Sequence, residues 1–181
     1  MRKLIYALLV GLIGALVLHI VIILALPRFT GKDAYTRVTR EGPSPRFYSL
    51  AKKPDGTGLA QTDPYLRQAV CAFDVTQAPI RLTAQGSVPF WSIGLFDKAA
   101  NEVYSMTDAT AVEGRLDIIA GTAAQLSALR NAEPDLVART VLVEMPQAEG
   151  YAVLRALAPQ PSALADAQDF LSRATCSALK T

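Results

Sequence analysis

The stretch Pro89-Phe90-Trp91-Ser92-Ile93-Gly94-Leu95-Phe96-Asp97-Lys98-Ala99-Ala100-Asn101-Glu102-Val103-Tyr104-Ser105-Met106 decides the fold class. Residues 90–96 alternate Trp91, Ile93 and Leu95 with smaller or outward positions, the period of a half-buried strand. Residues 102–106 do the same more weakly. The intervening 97–101 is polar and short, so the pair reads as a hairpin with a five-residue connection. The same pattern recurs outward in both directions. Upstream, 69–75 and 80–84 read as strands; downstream, so do 115–120, 140–145 and 151–157. A short strand is also expected within 46–50. Two helices interrupt the series. One covers 122–131 and is stopped by Pro134. The other starts at Pro161-Ser162, with Ser162 as its cap, and carries Leu164, Ala167, Leu171, Ala174 and Ala178 along one stripe. The expected architecture is mainly β with flanking helices, as a β-sandwich or a curled antiparallel sheet.

Ahead of this domain lies a different kind of chain. Leu4 to Leu26 is an uncharged run of 23 residues, interrupted only by Tyr6 and His19. A bilayer core needs about 20 helical residues. A signal peptide has a shorter apolar core, and no Ala-x-Ala site precedes Pro27, so an uncleaved transmembrane helix is expected over 1–27. Residues 28–62 read as a connector rich in Gly, Pro and basic residues, with a turn signal at Asp55-Gly56-Thr57-Gly58. The β-rich domain then runs over 63–181. Counting flanking Lys and Arg alone would keep the domain in the cytoplasm, but large domains translocate largely regardless of charge. The Met-Arg-Lys start followed by an apolar run favours export. The expected location is the bacterial inner membrane, single-pass, with the domain in the periplasm.

The formal charge of +2 hides an asymmetry. Residues 28–53 carry seven basic and two acidic side chains, while residues 54–181 carry nine basic and fourteen acidic ones. The basic arm either lies on anionic headgroups or is a solvated tether. The acidic domain lacks a basic helix or basic strand, so nucleic acid is not an expected partner.

The chemistry available to the domain is narrow. The single histidine, His19, lies in the apolar run. That excludes a Ser-His-Asp triad, a Cys-His pair and a histidine-ligated metal in the domain. No phosphate-binding glycine loop or dinucleotide fingerprint is present, and no cofactor or metal is expected. Carboxylates at strand ends remain: Asp63, Asp74, Asp97, Asp108, Glu144 and Glu149. Each reads first as a turn former or strand terminator; a hydrolase would need two across a cleft. The aromatics Phe90, Trp91, Tyr104 and Tyr151 are either core or a ligand shelf. Asp63, Tyr65, Trp91, Tyr104, Glu144 and Glu149 are therefore the candidate ligand or partner surface. Cys71 and Cys176 are either bonded to each other, if the domain is exported, or two separate thiols. On a continuous helix Cys176 would face away from the core stripe, so bonding requires the last turn to unwind.

Some segments also resemble a known family. Asp63-Pro64-Tyr65, Ala69 to Asp74 and Ala78-Pro79-Ile80 are similar to the Asp-x-x-Tyr, Asp-Leu and Gly-Pro pattern of the bacterial domain-of-unknown-function family numbered 1254. Pro89 to Asp97 with Val103-Tyr104-Ser105 resembles that family's hallmark strand pair, and Val153 to Leu157 its final strand. The resemblance spans about residues 60–179. It implies a β-rich fold and a short, membrane-anchored form lacking the second, 1214-type domain of longer members. It further implies a separate 1214-type chain as a partner. It implies no reaction and carries no functional residue over. The reading is thus a tethered binding or interaction module; the alternative is a carboxylate-dependent envelope hydrolase acting on carbohydrate.

Overall fold

A computed structural model of the chain describes residues 1–29, 34–53 and 56–179. Lys32 of the basic arm, and Pro54 and Asp55 beside the expected turn, lie outside the described residues. The chain forms two compact units, Met1–Asp33 and Ala34–Thr181. The first is the helix α1 (Arg2–Phe29). Its segment Arg2–Leu26 is strongly apolar, with a mean hydropathy of 2.9, and is not buried among the described residues. At 1.5 Å per residue this segment is about 38 Å long, more than the ~30 Å hydrocarbon core of a bilayer. It is long and apolar enough to cross one.

The second unit holds, in chain order, α2 (Ala34–Thr39), β1 (Tyr48–Ser49), β2 (Leu66–Asp74), β3 (Ile80–Ala84), β4 (Trp91–Asp97), β5 (Glu102–Thr107) and β6 (Leu116–Gly121). There follow α3 (Ala123–Ala132), α4 (Pro134–Val137), β7 (Val141–Glu144), β8 (Glu149–Leu157), α5 (Leu164–Arg173) and β9 (Thr175–Ala178). One sheet has the order β1-β2-β8-β4-β5 and the other β7-β6-β3-β9; neither closes into a barrel. Every pairing is antiparallel except β6 with β7. That exception follows from the helices α3 and α4 between them, because a parallel neighbour needs a crossover of a dozen or more residues.

Strand alternation sorts the side chains. In β2, Ala69, Cys71 and Phe73 enter a cluster shared with Leu82 of β3, Ile118 of β6 and Leu154 of β8, so both sheets bury residues in one core. Val70 and Ala72 point the other way, into a second cluster with Val38, Leu50 and Tyr151. The far side of the second sheet packs Ile119 against Leu126 and Leu129 of α3. Thr122 caps α3 reciprocally with Gln125, whose side-chain amide also donates to the Val75 carbonyl at 2.7 Å. Residues 28–62, read from composition as a connector, are part of the folded unit from Ala34 on. Val38, Leu50 and Leu59 cover the first sheet's outer face, and β1 pairs with β2.

The closing helix differs from its expected course. It ends at Arg173, and Ala174 turns to φ −64°, ψ 137°, an extended conformation. Ala174 and Ala178 share helical spacing with Leu164 and Leu171 by coincidence; Thr175–Ala178 instead pairs with β3, placing Cys176 opposite Leu82. The gain is a row of strand hydrogen bonds for residues that a helix would have left at its frayed end. Ser162 is not the cap. Pro161–Ala163 form a 3-10 turn, and the residue before α5 is Ala163, with no side-chain cap bond. The unwinding brings Cys176 to Cys71, and the two are joined in a disulfide 105 residues apart in sequence. It ties the first sheet to the second.

A closed loop of this length stabilises by about 4 to 5 kcal/mol in the chain-entropy view, with about 2–4 kcal/mol typical of measurement. The double substitution C71A/C176A is expected to lower unfolding free energy by about 2–4 kcal/mol in urea titration. Unreduced protein should yield no reactive thiols; two would refute the bond. A second test concerns Gly150. A Cβ there would lie 2.6 Å from the Phe96 carbonyl oxygen and 2.9 Å from Phe73 and Met145 side-chain carbons. Backbone cannot yield as a side chain can, so G150A should cost about 1–3 kcal/mol in the same titration.

Candidate functional site

The outer face of the second sheet is only partly covered by α3 and α4. Beyond Ile119, strand alternation turns Arg81 and Thr83 of β3 and Asp117 of β6 outward. Arg81 sits opposite Ile119 and Thr83 opposite Asp117, so Arg81 and Asp117 are diagonal neighbours. Their side chains form a bidentate pair, Nε to Oδ1 at 2.9 Å and Nη2 to Oδ2 at 2.7 Å. Hydrogen bonding to Asp117 raises the Arg81 guanidinium further above its ordinary value, against a smaller opposing effect of burial.

Around this pair lies a cleft of about 910 Å³. Three further arginines line it, each from a different element: Arg115 just before β6, Arg139 between α4 and β7, and Arg173 at the end of α5. Arg115 pairs with Glu113. Arg173 Nε donates to Asp169 Oδ1 at 2.9 Å. Arg139 Nε donates to the Asp135 carbonyl at 3.1 Å. The charged lining is thus four guanidiniums against the carboxylates of Asp117 and Glu113. It is locally cationic in a domain whose sequence is net acidic. A second cleft of about 700 Å³ shares Gln85, Gly86, Glu113 and Arg115 with the first, and Trp91 and Asp108 line it. Asp108 Oδ1 is buried without a hydrogen-bond partner. Gly114, at φ +66°, and Glu113, at φ 53°, form a tight turn; Glu113 lines both clefts and Gly114 the second.

The residues singled out from sequence are not assembled into one site. Asp63 Oδ1 accepts from the Tyr65 and Leu66 amides at 2.7 and 3.2 Å and so makes the turn into β2. Tyr65 is exposed beside it. Trp91 is packed in the core and also lines the second cleft. It is 1% exposed, stacks on Phe170 and donates from Nε1 to the Gly114 carbonyl at 3.2 Å. Tyr104 is half-buried against the same core, opposite Leu95. Glu144 is exposed at the end of β7. Glu149 lies at the start of β8, where it pairs with Lys98 and accepts from the Tyr35 hydroxyl at 3.3 Å. Burial first, and the Glu149 carboxylate second, push the Tyr35 phenol up. This cluster fastens α2 to the first sheet. Among the described residues no group of three or more His, Cys, Asp or Glu side chains could hold a metal ion.

The cleft arginines were invisible to motif reading because they are 34, 24 and 34 residues apart in sequence. One local signal was available: Arg81 in the run Ile80-Arg81-Leu82-Thr83-Ala84, and Asp117 in Leu116-Asp117-Ile118, each break an apolar alternation on its outward side.

No family model matches this chain, and no curated protein matches it. Solved structures share its fold. The VPA0106 protein from Vibrio parahaemolyticus superimposes with a TM-score of 0.51 at 10% identity, over 64% of this chain and 28% of that one. An uncharacterized protein from Burkholderia cenocepacia superimposes with a TM-score of 0.50 at 14% identity, over 85% of this chain and 42% of that one. The matched part is therefore less than half of either protein.

Asp97 provides a test of the carboxylates' structural role. It is 4% exposed and accepts from the Asn101 amide at 2.8 Å and from its side chain at 2.9 Å, shaping the β4–β5 loop in which Ala100 takes φ 64°. The Asn101 side chain, above all, holds its carboxyl below the usual carboxylate range, against the opposing effect of burial. A lowered folded-state pKa gives stability that is complete above the unfolded value and is lost as pH falls through the folded one. The domain should therefore lose stability below about pH 4. D97N should flatten part of that acid loss in urea titrations across pH, while Asp74, held down likewise by Thr76, retains its share. An unchanged pH profile would refute the role of Asp97.

Proposed function

We propose that this protein is a membrane-anchored interaction module of the bacterial cell envelope. Its helix α1 sits in the inner membrane, its β-rich unit lies in the periplasm as a two-sheet sandwich, and a separate 1214-type chain is its partner. The observation that carries this reading is the division of the chain. An unburied apolar helix forms one unit, and a β-rich unit with its own core forms the other. A disulfide fits an oxidising compartment. The resemblance to family 1254 supports the partner.

A carboxylate hydrolase is supported less well. Such an enzyme needs two carboxylates positioned across a cleft for acid and base or nucleophile roles. Here Asp117 and Glu113 are each held by an arginine, Asp63, Asp74 and Asp97 shape turns, and Glu149 fastens α2.

Two measurements check the proposal. Protease added to spheroplasts should degrade the β-rich unit while leaving a membrane-embedded fragment; a protected unit, or a freely soluble protein trimmed of α1, would overturn the tether. Co-expression with a tagged 1214-type chain from the same genome should recover both after mild detergent extraction. Recovery of each alone would overturn the partnership.

A further inference from the structure

We propose that the arginine-lined cleft is a binding site for a small hydroxylated anion, of the sugar-acid or sugar-phosphate class. All of its lining residues belong to the second unit. Its volume, about 910 Å³, lies within the range of clefts that enclose small molecules. Guanidinium groups match carboxylate and phosphate oxygens with paired, planar donors.

The four arginines are not equivalent. Both Arg81 nitrogens on one edge are taken up by Asp117, and Arg115 is paired with Glu113. These two shape the wall and hold its charge in place. Arg139 and Arg173 contribute the cations for the ligand. Among the described residues the hydrogen bonds of each use only Nε, with a backbone carbonyl for Arg139 and the exposed Asp169 for Arg173. The lining carries two more positive than negative side chains, and Asp169 lies outside it. The anionic group of the ligand belongs here.

The adjoining cleft supplies the other half of the specificity. Asp108 lines this cleft, and its Oδ1 has no hydrogen-bond partner among the described residues, so a ligand hydroxyl that reaches this carboxylate finds an acceptor there. A hydroxyl does so. Gln85, shared by both clefts, adds an amide between the two regions. A sugar ring carrying a carboxylate or phosphate brings both anionic oxygens for the arginines and hydroxyls for Asp108 and Gln85. A simple polycarboxylate has the charge but satisfies Asp108 less well.

The test uses the full chain in neutral detergent, with binding measured by calorimetry and by fluorescence of the lone tryptophan, Trp91, which lines the second cleft. Probes are glucuronate, glucose 6-phosphate, citrate and glucose. Glucuronate or glucose 6-phosphate should bind, and glucose should not. R139A/R173A should weaken binding by about tenfold or more, since hydrogen bonds to charged groups are lost. Arg139→Gln alone, which disturbs no ion pair among the described residues, should weaken it in the same direction, and D108N should reduce the preference over citrate. Melting temperatures establish that each variant is folded. No binding of either sugar anion by the folded chain would overturn the proposal. So would equal affinity in R139Q, or citrate binding as tightly as the sugar anions with D108N making no difference.

Discussion

The structure depends on one constraint: two sheets must bury a common set of side chains, and the chain's last strand must reach back to make that possible. Residues Ile80–Ala84 form the pivot. On one side β3 pairs with β6, and on the other with β9. Leu82, fully buried, thus lies opposite both Ile118 and Cys176. Because Cys176 is bonded to Cys71 in β2, the pairing of β9 and the packing of the two sheets are one event. The bond closes 105 residues of sequence into a loop, so its largest effect is on the unfolded chain, which loses freedom it would otherwise have.

The same constraint explains why α5 is short. Ala167, Phe170 and Leu171 are its buried face, and Phe170 stacks on Trp91 with ring centroids 6.2 Å apart. Two more helical turns would carry Cys176 away from Cys71. The helix instead stops once Phe170 and Leu171 are seated, and Ala174 is the residue where the chain changes geometry. Trp91 therefore answers to the core, and its indole N–H is satisfied by the Gly114 carbonyl. A buried aromatic with a partnered polar atom is a structural anchor.

What was legible in the sequence was whatever depended on local period. The alternation of Trp91, Ile93 and Leu95, and the polar break at 97–101, placed β4 and β5 close to where they lie. Ile80–Ala84 was read to the residue. β9 was not legible because Thr175–Ala178 shares its small-residue spacing with the helix before it; only pairing with β3 decides between the two. The cover of the first sheet was hidden for a related reason. Val38, Leu50 and Leu59 are isolated apolar residues in a basic, Gly- and Pro-rich stretch, and nothing local says that Val70, Ala72 and Tyr151 need covering. The cleft is the furthest case. Its arginines come from a strand, a turn and the ends of two helices, and only tertiary structure brings them together.

That convergence is not explained by stability. Side chains of the Arg115–Glu113 and Arg173–Asp169 pairs are half or more exposed, and Arg81 and Asp117 keep 34% and 26% of their side-chain exposure. Solvent-exposed pairs are worth roughly 0–1 kcal/mol each. Placing four guanidiniums around one cleft also sets like charges near one another, an arrangement that self-repulsion disfavours in the absence of a counter-charge. Asp117 and Glu113 offset half of it. Asp169 pairs with Arg173 from outside the lining, which leaves Arg139 as the lining arginine with no carboxylate partner among the described residues. Four arginines on one concave face, with Asp63, Asp74 and Asp97 spent on turns elsewhere, concentrate positive potential where an anion can be enclosed.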